Sequence, residues 1–127
     1  MKRSRARMAK KAGDDCLRCC VAWLLGKRRC DVPHFVRRYR GRWDWRLAAW
    51  LKRRGLTLAK VRGRPLVWGQ APYIACGPTK WTRRNKQDHA VVMVGGAVVY
   101  DPAPGEIGLL RITRSYLLVK PWRSLDP

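Results

Sequence analysis

The hydrophobic period of this chain changes once, and that change limits its fold more than any other feature. Before Gly55, apolar side chains recur at helical spacing; after it they alternate or fall in short runs. Leu17, Cys20, Val21, Leu24 and Leu25 follow i, i+3/i+4, i+7/i+8 spacing, which predicts an amphipathic helix with Cys16 in its first turn. Asp14 or Asp15 is the expected N-cap and Gly26 the expected stop. Residues 31–42 open DVPHFV and run into RRYRGR, a turn or short helix ending in a basic cluster. Trp43, Leu47, Trp50 and Leu51 share one stripe of a second helix that ends by Gly55. LTLAKV then alternates like a strand. Residues 62–72 are rich in Gly and Pro and predict a loop, PYIACG a short strand, and KWTRRNKQ a polar basic loop. HAVVMV and AVVYD predict two strands joined at Gly95 and Gly96, PAPGEIG a loop, and YLLV a final short strand. Helices first and antiparallel strands later define an α+β fold.

With 127 residues the chain supports one core, expected over 13–127 behind a basic arm at 1–12. An apolar content of 46%, with seven Trp and four Tyr, argues against wholesale disorder. No apolar run approaches the roughly 18 residues that span a bilayer, so no membrane role is expected. Twenty-nine Lys and Arg against eight Asp and Glu give +21, a field that attracts nucleic acid or an acidic protein. General cationic solubility is the plain alternative. Five cysteines, three of them crowded at 16, 19 and 20, do not form a disulfide framework. The N-terminal MKRSRARMAKK lacks the apolar stretch of a secretory signal, so a reduced, cytoplasmic setting is expected.

Three residues suggest chemistry together: Cys16 at a helix start, His89 at a strand start, and Asp101 at the end of the next strand. A helix N-terminus favours thiolate, an imidazole takes the proton, and a carboxylate fixes the ring and stabilises imidazolium. Their meeting depends on loop parity. If Gly95, Gly96 and Ala97 form a three-residue loop, Val91 faces Asp101 and His89 shares Asp101's side of the sheet. The pair is then a diagonal neighbour at roughly 7–8 Å along the backbone. A strict two-residue turn puts them on opposite faces. Of the eight acids, Asp14, Asp15, Asp88 and Asp101 all flank this site.

DDCLRCCVAWLLG, DVPHF, the Trp-rich helix, YIACGP, DHAVV and VVYDP together resemble a group of small phage and bacterial papain-like cysteine peptidase domains. That group is related in pattern to the bacteriocin-processing double-glycine peptidases, and the resemblance covers roughly residues 13–119. It implies a papain-like fold, a protein or peptide substrate and no cofactor. It also implies Cys16 as nucleophile, His89 as base and Asp101 as orienting carboxylate. Papain-like enzymes carry a Gln shortly before the nucleophile whose amide helps bind the oxyanion; here the sequence reads Ala9, Lys10, Lys11. Lys10, Lys11 and the Cys16 backbone N–H are the candidate oxyanion donors. One lost donor typically costs about 10²–10³ in rate.

Other readings stand beside this one. Cys19, Cys20 and Cys76 suit core packing, His34 suits a turn, His89 a strand start bonded to Asp88, and Asp101 an Asp-Pro turn. Cys16, Cys19, Cys30 and His34 have the ligand types of a zinc site, although the first pair falls within an apolar helix. Lys10, Lys11, Arg37, Arg38, Arg40, Arg42, Lys80, Arg83, Arg84 and Lys86 lie near Trp and Tyr and are candidates for binding a polyanion. A basic binding module on a retired peptidase scaffold is therefore the alternative function.

Overall fold

The structure, a computed structural model, describes residues 15–65, 69–80, 88–103, 105 and 108–120. The expected basic arm and Asp14 lie outside them.

The fold is α+β: helices packed on one face of a five-stranded antiparallel sheet. Helix α1 (Cys16–Leu25) buries Leu17, Cys20 and Val21, as the spacing predicts. It ends in a Schellman motif: Gly26 turns left-handed at φ 65°, its N–H meets Trp23 O, and Lys27 N–H meets Ala22 O at 2.9 Å. A 3₁₀ turn (Arg29–Asp31) leads to the short α2 (Phe35–Tyr39), capped by His34 Nδ1, which accepts from Arg37 N–H. After a second 3₁₀ turn (Arg40–Arg42) comes α3 (Trp43–Lys52), with Leu47 and Leu51 buried. Gly55, at φ 76°, ends its last turn.

The strands are β1 (Thr57–Arg62), β2 (Tyr73–Gly77), β3 (His89–Val94), β4 (Ala97–Tyr100) and β5 (Arg114–Val119). Their order in the sheet is β1-β5-β2-β3-β4. Beneath the helices, Ile74, Cys76, Ala90, Val92 and Tyr116 join the helical residues in the main core. On the other face, Tyr73, Ala75, Val91 and Met93 pack with Leu109, Ile112 and Leu117. Strands β2 and β3 are therefore buried on both sides, which explains their continuous apolar runs. The segment around 110–113 is held there by Leu110 N–H to Pro78 O and Thr113 N–H to Cys76 O, each 2.8 Å. Its closest approach is at Gly77, where a Cβ would come within 1.9 Å of Arg111 O.

The β3–β4 connection differs from the expected three-residue loop. Val94 pairs with Ala97 and Met93 with Val98, so Gly95-Gly96 is a two-residue turn, opened by Gly95 at φ 59°. The ladder then slips, and Val92 pairs with Tyr100. Val99 is the extra residue of a β-bulge. One step further, this register sets Asp101 opposite Val91, the outcome expected of the longer loop. No helix among the described residues is long and apolar enough to cross a membrane.

Candidate active site

Cys16 is the first residue of α1, which lies against β3. His89 is the first residue of β3, and Asp101 follows β4 directly. Stacking of Trp23 on Tyr100, with centroids 5.6 Å apart, ties α1 to the strand end that carries Asp101. The three sequence candidates are thus brought together by three separate elements.

His89 Nε2 lies 2.6 Å from Asp101 Oδ1. The Asp101 carboxylate also accepts Ala103 N–H at 2.9 Å and Gly108 N–H at 2.7 Å. Asp101 therefore forms the turn expected of Asp-Pro and engages the imidazole as well. With Nε2 donating to a carboxylate, Nδ1 is the ring nitrogen left for the Cys16 thiol. Burial alone would lower the His89 pKa; hydrogen bonds to Asp101 and then to Cys16 outweigh it and raise it to about 9. For Asp101, burial works upward, but the bonds from His89 and the two backbone N–H groups hold it below the usual carboxylate range. At neutral pH the pair is imidazolium and carboxylate.

The other thiols lack this setting. Burial, followed by the charge of Asp15, pushes Cys19 up to about 12. Burial pushes Cys76 up to about 12 and Cys20 well above its ordinary value. All three are packing residues in the protonated form, and Cys30 is exposed. Cys16 is 5% exposed, with Sγ 4.0 Å from Asp88 O. At the start of α1 the N–H groups of Cys16, Leu17 and Arg18 precede the first helical bond, Cys19 N–H to Asp15 O.

The remaining acids have other roles. Asp88 does not bond His89; its Oδ2 takes Thr113 Oγ1 at 3.3 Å and Arg114 Nη2 at 3.5 Å. Asp15 holds the N-cap position of α1, but its side chain makes no cap bond. That buried carboxylate instead receives Arg29 Nη1 at 2.7 Å and stands 3.3 Å from His34 Nε2. His34 Nδ1 accepts from Arg37, which puts the proton of the neutral ring on Nε2, facing Asp15. This clamp on the residue before Cys16 was not readable in the sequence, beyond the concentration of scarce acids there.

Among the described residues, no three His, Cys, Asp or Glu side chains gather closely enough to hold a metal ion. Cys16 and Cys19 lie within α1, whereas Cys30 is exposed on the following turn. Lys10 and Lys11, the candidate oxyanion donors, lie outside the described residues, as do Arg83, Arg84 and Lys86. Arg37, Arg38, Arg40 and Arg42 are exposed on α2 and the turn after it, and Lys80 is exposed on another turn. Comparison with family models, curated proteins and solved structures finds no match.

Proposed function

We propose that the protein is a thiol hydrolase of the papain-like type, cleaving an amide or related acyl bond of a protein or peptide. The observation that carries this reading is the 2.6 Å bond between His89 Nε2 and Asp101 Oδ1, with Cys16 opening a helix that packs against the strand His89 begins. Cys16 Sγ attacks the acyl carbon, and its proton resides on His89 Nδ1. The C–N bond then breaks as His89 passes that proton to the leaving amine. Water attacks the thioester with His89 as base, releasing the acid and restoring the thiol. Asp101 holds the ring and balances the imidazolium throughout. N–H groups at the start of α1, that of Cys16 foremost, serve the oxyanion. The sequence resemblance supports a phage or bacterial setting, and the odd, crowded cysteines support a reduced compartment.

A second reading, a basic binding module on a scaffold that has lost catalysis, is favoured by the Lys10-Lys11 sequence where the family carries Gln. Alkylation separates the two. Each cysteine is followed by mass spectrometry with a small haloacetamide, across roughly pH 5–9, in wild type and His89→Ala. At pH 6 an ordinary thiol is only about 0.3% thiolate. Selective labelling of Cys16 there, slowed about 10- to 100-fold without His89, is the expected result. Labelling of Cys16 no faster than of Cys30 would sink the hydrolase.

A further inference from the structure

The outward face of α3 carries a pattern that the proposed chemistry does not use. Leu47 and Leu51 point into the core, so the opposite face centres on Ala49 and brings together Arg42, Trp45, Arg46, Lys52 and Arg53. Every one of these five is exposed. Trp45 is 61% exposed, a costly state for an indole with no occupant. The Arg46 guanidinium lies over it at 4.8 Å and over Tyr39 at 4.9 Å. The one acid of this helix, Asp44, is on a different side and is neutralised by Lys60 Nζ at 2.9 Å. The face is therefore wholly cationic around one presented aromatic ring.

We propose that this face binds single-stranded nucleic acid, with Trp45 stacking on a base and the four cations following the phosphates on either side. Charge complementarity selects a polyanion, in a chain of net charge +21. The indole selects among polyanions. Any base offers a π-face when unpaired, whereas in a duplex those faces are already stacked. Small Ala49 between the cations lets a strand approach the helix closely.

The test uses the full chain and a fluorescein-labelled oligothymidylate of about 20 nucleotides, followed by anisotropy at several salt concentrations. Trp45→Ala is expected to weaken binding about tenfold at fixed salt, with Trp45→Phe restoring most of it. Lys52→Ala/Arg53→Ala is expected to flatten the log K against log[salt] slope by about 1.4. Cys16→Ala should bind as wild type, because this surface is separate from the thiol site. Equal binding by Trp45→Ala and wild type would overturn the proposal. So would duplex DNA or heparin binding as tightly as the single strand, which would make the face a general polyanion surface. Trp45, Lys52 and Arg53 are all exposed, so loss of binding in their variants will not reflect loss of folding.

Discussion

His89 Nε2 and Asp101 Oδ1 meet at 2.6 Å because Val99 has no partner of its own in the β3–β4 ladder. Were Val99 paired with Val92 instead, Tyr100 would stand opposite Val91 and Asp101 would lie on the other face of the sheet. Val99 is 44% exposed, so its removal opens no cavity in the core. Deleting Val99 leaves Tyr100 opposite Val92 and so keeps the pair. Inserting an alanine between Val99 and Tyr100, with the bulge kept, moves Asp101 to the other face and is expected to break the pair while the chain still folds. The readout is the His89 imidazole titration by NMR, which should stay near 9 in the deletion variant and in the insertion variant fall to near or below the ordinary value. A titration that stays near 9 in the insertion variant, or falls in the deletion variant, would refute the register argument.

The same pair sets a pH dependence of stability. The His89 pKa is raised on folding, so its contribution is complete below about pH 6.5 and disappears as pH rises through about 9. Asp101 is held below its ordinary range, so its contribution is present at neutral pH and lost in acid. Urea unfolding of wild type and His89→Gln at several pH values should show the largest difference near pH 6. The gap should narrow by pH 9.5, and a gap that widens there contradicts the assignment.

Gly77 pairs with His89 in the β2–β3 ladder and lies under the Arg111 carbonyl. Gly77→Ala forces backbone against backbone, at a cost of about 2–3 kcal/mol. It also displaces the segment beyond Gly108, whose N–H bonds Asp101 Oδ2 at 2.7 Å. Thermal melting is expected to drop by about 10 °C, with slower Cys16 alkylation at pH 6. Unchanged melting would mean that the 110–113 segment shifts freely.

Arg29 neutralises a carboxylate that burial would otherwise make expensive. Arg29→Ala should destabilise by about 2–3 kcal/mol, somewhat less than for a fully buried partner because Arg29 is itself partly exposed. In an Asp15→Asn background the same change should cost much less, so a double-mutant cycle in urea should show coupling of about 1 kcal/mol or more. Additive losses would exclude the clamp.

Much of this arrangement was legible in the residues. Leu17, Val21, Leu47 and Leu51 marked the buried sides of α1 and α3, and Gly26 marked the α1 end, because periodicity and capping are local. The candidate triad was also named from its chain order. Its geometry was reached by a different route from the expected one: a two-residue turn with a bulge leaves the same register as a three-residue loop. A bulge in a run of Val has no residue signature. Strand order was hidden too, since β5 enters between β1 and β2 through long-range pairing. The Asp15–Arg29–His34 arrangement depends on how a turn folds back, which no spacing rule records. The Trp45 face carries no periodic signal: in the sequence, one indole among cations is indistinguishable from an ordinary solvated side of a helix.

That strand order has a consequence for how the protein comes into being. Among the described strands, β1 is hydrogen-bonded only to β5, from Thr57 opposite Val119 to Arg62 opposite Arg114. During synthesis, Cys16, His89 and Asp101 all emerge before β1 has any neighbour to join. The β2–β3–β4 meander forms from contacts close in sequence, and the sheet then waits for its fourth strand to wedge in and admit the fifth. A nascent chain halted before Arg114 would hold every residue of the candidate triad and only three joined strands to support them.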